Sequence, residues 1–233
     1  MKKLFRTLNK FEVIATTLVF ALVIAGCILS YIDPDSFRHQ YTGEDGPLEN
    51  LTVLFLLAGA ICCFYRIFKL RKEKNILFLF CTFILASLFI FGAGEEISWG
   101  QRIFDNKSSE FFQKYNTQGE TTLHNLSFTG SDGKKIKINK LVFSKILTFC
   151  IIIYMLILPF LYRKKETIKN WINKFAIPLP ENRHIILYIL LAIIVLSIDH
   201  KRKGELLEFG GCFLFLMITI FPLNKNNFLP KNK

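Results

Sequence analysis

Two adjacent carboxylates, Glu95 and Glu96, end an apolar run that carries no charge from Ile76 to Ala93. Trp99, Gly100, Gln101 and Arg102 follow at once. A carboxylate at the edge of an apolar helix can serve as a general base once it is desolvated, or as a ligand for a divalent metal. Spacing does not choose between the two acids, because adjacent helical residues point to different sides. The plainer reading is a helix end closed by a salt bridge to Arg102, with Trp99 as an interfacial anchor.

Three other segments carry groups of the same chemistry. "EDGPLEN" (44–50) supplies Glu49, "NTQGETTLHN" (116–125) supplies His124, and "DHKRKGELLEFGG" (199–211) supplies Asp199, His200, Glu205 and Glu208. Glu49, Glu96, His124, His200 and Glu208 form the expected core of one site, with Glu95 and Glu205 as second candidates. Carboxylates and imidazoles drawn from several helices are a workable set for a divalent metal, zinc or another. Such a metal would lower the pKa of a bound water and polarise an ester, amide or phosphoester. Without a metal, a desolvated Glu would act as general base, His124 or His200 would stabilise charge, and Arg102 would bind an anionic headgroup. His39 reads as solvated, and His184 falls at the opposite end of its helix. The six cysteines lie within apolar stretches without ligand-type spacing and behave as small hydrophobes.

These groups need a scaffold, and the composition specifies its class. Hydrophobic residues make up 52% of the 233, and the charges avoid the long apolar runs, as in a polytopic membrane protein. Six spans are expected in one helical domain over 1–233, at about 12–32, 48–67, 75–96, 142–162, 184–199 and 206–223, with an ordered outer loop at 103–141. The net charge of +12 does not point to nucleic acid, because its basic residues cluster beside alternate span ends. Lys2, Lys3, Arg6 and Lys10 precede the first span, and Arg66 to Lys74 join the second to the third. Arg163 to Arg183 join the fourth to the fifth, and Lys225, Lys231 and Lys233 follow the sixth. The positive-inside rule places these groups, and both termini, in the cytoplasm, beside anionic lipid headgroups. Lys201 to Lys203 run against this pattern. "LVIAGC", ending at Cys27, has the form of a lipoprotein cleavage box, but the apolar run continues beyond it.

That topology puts all four polar segments on the extracytoplasmic side. Glu49, His200 and Glu208 each lie 17 residues from a cytoplasmic Arg or Lys, about 25 Å along a helix, just within the outer edge of a core about 30 Å thick. Helical spacing would set Glu95, Ser98, Trp99 and Arg102 on one face, and would pair Asp45 with Glu49. Gly210 and Gly211 would admit a neighbouring helix closely. Thr117 to Glu120 has capping-box form, which predicts a short helix presenting His124 and Asn125. Residues 168–175 predict an amphipathic helix at the inner surface, 108–115 a similar one outside, and 129–139 a small hairpin or loop.

On "GEEISWGQRIF" and "NTQGETTLHN" the chain resembles a group of uncharacterised bacterial multipass membrane proteins. These share an EEISWGQR segment followed by an N-x-Q-x-E-x-x-L-H-N segment. The resemblance covers most of the chain and implies a shared site in a bacterial cytoplasmic (inner) membrane, without naming a reaction. Glutamate-dependent CAAX-type proteases use E-E-x-x-x-R, but here Gly100 stands where that Arg would be. Alkaline ceramidase-like hydrolases need three histidines in seven helices, a looser match still.

The sequence therefore predicts an all-α membrane protein with an outer-leaflet carboxylate/histidine site. The expected activity is a metal-dependent hydrolase or transferase acting on a lipid or lipid-linked substrate, which would arrive by lateral diffusion. The alternatives are a proton- or cation-coupled transporter or channel, and a non-catalytic assembly or sensory subunit. The sequence does not specify an oligomeric state.

Overall fold

The computed structural model describes residues 9–123, 125–129, 135–137 and 146–230. Their long helices are α1 (Lys10–Ile32), α2 (Pro47–Leu70), α3 (Ile76–Glu96), α5 (Leu147–Lys164), α7 (Asn182–Ser197) and α8 (Lys203–Ile220). The short α4 (Glu110–Tyr115) lies in the long loop, and α6 (Glu166–Lys174) follows α5. β1 (Ser127–Thr129) and β2 (Lys135–Lys137) pair antiparallel, with Phe128 opposite Ile136, in the region where a hairpin was expected.

α1, α2, α3 and α5 are long and apolar enough to cross a membrane. α7 is apolar but has only 16 residues, and α8 carries Lys203, Glu205 and Glu208 near its start. Many large apolar side chains face outward, including Ile61, Phe68, Ile76, Leu88 and Leu196. A protein surface of that kind fits lipid rather than water.

Helix starts follow local chemistry. Asn9 and Asn75 cap α1 and α3 by accepting from Phe11 N–H and Phe78 N–H, and Pro47 opens α2 at a position where its missing N–H costs nothing. Pro159 lies within α5, and the turn before it, Ile153–Ile157, widens to a π-helix. A π turn is one way a helix accommodates a proline that removes a backbone donor.

α2 is the central helix and packs against α3 on one side and α8 on the other. One cluster of buried side chains joins α1, α2, α7 and α8 around Val23, Leu191, Leu206 and Phe213. A second, around Cys63, Ala86 and Phe89, joins α2 to α3. Small residues allow the approach: a Cβ on Gly59 would sit 2.7 Å from the Phe89 ring, and one on Gly210 would sit 2.6 Å from Leu191. Gly211 has nothing within 4 Å of its Cβ position, so of the glycine pair only the first serves close packing. Gly210→Ala should lower stability by about 1–3 kcal/mol, and Gly211→Ala should leave it nearly unchanged. Paired thermal unfolding curves in detergent check this contrast.

Helix ends meet at two poles. At one, Glu12 of α1 pairs with Arg183 (2.8 Å) and His184 (3.1 Å) of α7. Arg66 of α2 donates to Ile220 O of α8 and stacks on Phe228, and Lys74 Nζ donates to Asn227. At the other pole Tyr31 of α1 donates to Ser197 O of α7, and Arg102, six residues beyond the end of α3, reaches Glu49 of α2. Successive long helices therefore run in alternate directions. Among the described residues, the first pole holds Arg66, Lys74 and Arg183, and the second holds residues of the four polar segments. α6 fits its amphipathic reading, with Ile172 buried and Trp171 exposed.

Candidate functional site

At the second pole the chain turns in an unexpected way. α3 stops at Glu96, and Ser98, Trp99 and Gly100 all take positive φ, 48°, 54° and 77°. A left-handed conformation costs a non-glycine residue about 1–2 kcal/mol, so two such side chains in succession must be held by their surroundings. The helical-face reading of Glu95, Ser98, Trp99 and Arg102 is therefore corrected, since the helix reverses hand between them. The reversal folds the Trp99 ring back over α3, where a Cβ on Gly94 would meet it at 2.8 Å. Trp99 Nε1 donates to Glu95 Oε1 at 2.9 Å.

Arg102 follows this turn and points inward. Its guanidinium reaches Glu49 and lies 3.1 Å from Asp45 and 3.3 Å from Glu120, and it donates to Glu96 O at 3.1 Å. Partial burial opposes its charge, but Glu49, Glu120 and Asp45 outweigh that effect and hold it above the usual arginine range. With these partners the guanidinium is held by protein carboxylates on several sides. The anticipated pairing of Asp45 with Glu49 takes another form: Asp45 precedes the helix with φ 58°, and its backbone N–H donates to Glu49 Oε2 at 3.1 Å.

The loop 116–125 interlocks with the turn after α3. Ser98 Oγ donates to Glu120 at 2.5 Å, Thr121 N–H to Gln101 at 2.8 Å and Leu123 N–H to Glu95 at 2.7 Å. No helix starts at Thr117, which corrects the capping-box reading. Asn116 organises the segment instead: its amide donates to Thr122 O (2.8 Å) and Thr122 Oγ1 (2.9 Å), and its oxygen accepts from Gln118 N–H at 2.8 Å. A buried side chain that closes its own loop in this way removes the need for helical hydrogen bonds. Asn116→Ala should leave several of these groups unsatisfied, at about 1–3 kcal/mol. Limited proteolysis should then cut between 116 and 126 in the variant before it cuts the wild type.

Together these segments enclose a polar cavity of about 160 Å³, lined by Glu44, Glu49, Glu95, Glu96, Glu120, Glu205 and Glu208 and by Arg102 and Arg202. Arg202 is itself engaged, donating to Thr42 O at 2.7 Å. Glu96 of α3 and Glu208 of α8 line this cavity together, with Glu49 and Glu205 in the same wall. The structure thus separates the adjacent acids: Glu95 is buried and ties Trp99 to Leu123, while Glu96 faces Glu208.

Of the residues singled out from the sequence, Glu49, Glu95, Glu96, Arg102, Glu205 and Glu208 line this cavity. His200 does not. Its Nδ1 accepts from Arg202 N–H at 3.1 Å and its ring meets Phe37 edge-on, because the chain bends away between α7 and α8. His124 lies outside the described residues. Among the described residues no group of three or more His, Cys, Asp or Glu side chains is arranged to hold a metal ion. Among the described residues the expected zinc-type ligands are not gathered around one point, and His124, one of that set, is not among them. Glu44, Glu120 and Arg202 were missed by sequence reasoning. Glu120 sits inside "NTQGETTLHN", so an acid within a segment already marked as special was the available signal.

Compared with protein-family models, characterised proteins and solved structures, the chain matches none. Its class rests on its own features: an all-helical protein with four helices able to span a membrane.

Proposed function

We propose that this chain is a six-span membrane enzyme with both termini in the cytoplasm of a bacterial cell. Its site at the outer leaflet hydrolyses or transfers a group of a lipid or lipid-linked substrate. The observation that carries this reading is the Glu96–Glu208 pair, two carboxyl groups facing each other in a polar cavity at the end of an apolar bundle. One member, ionised, takes the proton of an attacking hydroxyl. The other, protonated, returns a proton to the leaving group. Glu49 and Glu205 sit close enough to set the charge balance of the pair, and Arg102 fixes Glu49 in place.

The cavity's one-sidedness supports an enzyme over a transporter. Within the bundle the buried hydroxyls of Thr52, Thr82 and Thr219 donate to Leu48 O, Phe78 O and Phe215 O of their own helices. Each of these hydroxyls donates within its own helix and not to a neighbouring one. The two motifs that mark the resemblance interlock around the same cavity, which supports their forming one site.

The test is lipid profiling by mass spectrometry of cells carrying the wild-type protein, the Glu208→Gln variant or neither. A lipid species that changes mass only with the wild type is the expected result. Identical profiles in all three, with both proteins present and folded in the membrane, would sink the enzymatic reading.

A further inference from the structure

The stretch 98–104, just past α3, sorts its side chains the wrong way round for contact with water. Its polar side chains turn inward. Ser98 Oγ donates to Glu120, Gln101 Oε1 accepts from Thr121 N–H and Ser108 Oγ, and Arg102 reaches Glu49. Its apolar ones turn outward: Trp99, Ile103 and Phe104 are 50%, 66% and 72% exposed, whereas Ser98 is 1% exposed. A segment in water buries apolar side chains and leaves polar ones outside. Here both halves of that rule are reversed.

The geometry of the turn produces the reversal. Arg102 is aimed into the cavity, and on the helical turn Gln101–Phe104 the next two residues lie about 100° and 200° further round. Ile103 and Phe104 therefore leave the cavity side. The surface they make continues that of α3. The Trp99 ring meets Phe91 edge-on at 5.7 Å and shares an apolar depression with Ile84 and Leu88, which face outward from a helix able to cross a membrane. The Phe104 ring sits against Gly100, where a Cβ would meet it at 3.0 Å.

Lipid cannot satisfy backbone donors, and those of this turn are closed internally. Ile97 N–H donates to Ala93 O, Gly100 N–H to Ile97 O, Gln101 N–H to Ser98 O and Asn106 N–H to Gln101 O. Exposed polar side chains resume at Asp105, Asn106 and Lys107. We infer that Trp99, Ile103 and Phe104 form a wedge seated in the lipid leaflet on the cavity's side of the membrane, with the membrane boundary between Phe104 and Asp105. Continuity with the apolar flank of α3 selects lipid as the partner over a second protein. Arg102 lines the cavity and Ile103 beside it faces lipid, so cavity wall and wedge are two sides of one short turn. The inference stands apart from the enzymatic reading and does not need it.

The test puts p-benzoylphenylalanine, close in shape to the native side chain, in place of Phe104 in the full chain, reconstituted in phosphatidylcholine vesicles. Irradiation should add the mass of one phosphatidylcholine to the protein. The yield should be about 3-fold or more above that from the same group at Lys107, beyond the boundary. Equal yields at the two positions, or no lipid adduct at 104, would overturn the inference. A cross-linked dimer without lipid adduct would also overturn it, by showing that a second copy covers this face. Trp171→Phe gives an independent reading with the wedge intact, since it leaves Trp99 as the sole indole, and it decides the matter even if the variant at 104 does not fold. Chain-brominated phosphatidylcholine should quench Trp99 while aqueous iodide leaves it bright. Iodide quenching without bromine quenching would place the ring in water and reject the wedge.

Discussion

Arg102→Gln is expected to destabilise the protein by about 2–3 kcal/mol, somewhat less than the loss of one partner from a fully buried ion pair, because the Arg102 side chain is 19% exposed. The reason is the number of groups it holds. Glu49 and Glu120, with side chains 16% and 15% exposed, would lose their cation while remaining next to further carboxylates. The loop 116–125 would lose one of its ties to the turn after α3. For a chain of this size the change should appear as a fall in Tm of about 5–10 °C, read by thermal unfolding in detergent. Arg102→Lys should recover less than half of it, since a compact ammonium cannot address Glu49, Glu120 and Glu96 O in the plane of a guanidinium. Adding Glu49→Gln to Arg102→Gln should restore part of the loss by removing the stranded charge. An unchanged Tm in Arg102→Gln would show that these carboxylates are well solvated without it.

Glu96→Gln and Glu208→Gln should behave in the opposite way. Each keeps the shape of the side chain and removes one acid from a cavity where four carboxyl groups, Glu49, Glu96, Glu205 and Glu208, act on one another. Like charges in a confined site oppose folding, so Tm should stay level or rise. Turnover of the lipid should fall about 10²–10⁴-fold, the usual worth of a general acid or base. Stability gained while turnover is lost would mark a site kept for chemistry at the expense of the fold. If both variants instead melted early and still converted lipid, the pair would be a structural latch.

The helices were legible in the sequence because apolar runs and flanking charges are local signals. The expected span at 75–96 and the observed Ile76–Glu96 differ by one residue at their start, and the basic residues Arg66, Lys74 and Arg183 lie at helix ends that share one pole. The same local signals also brought Glu49, Glu96, Glu205 and Glu208 to one end of the bundle. They failed at the turn after α3. Periodicity assumes a right-handed helix, and nothing in "ISWGQ" announces two non-glycine residues with positive φ. They failed again at Thr117, where a capping pattern was present but Asn116 offered the backbone better partners than a helix would.

By itself, then, the sequence determined which segments are apolar enough to be helices, which ends of those helices share a pole, and which acids lie near that pole. Tertiary structure decided the rest. Glu95 and Glu96 are adjacent, so their difference exists only relative to neighbours: Leu123 N–H on one side and Glu208 on the other. Arg102 became the centre of a carboxylate cage through a partner 53 positions away. His200, two residues from Arg202, turned to cap that backbone instead of facing the cavity. Side-chain partners so distant in the chain are fixed by packing of the helices and by the hand of one turn, which short-range spacing does not encode.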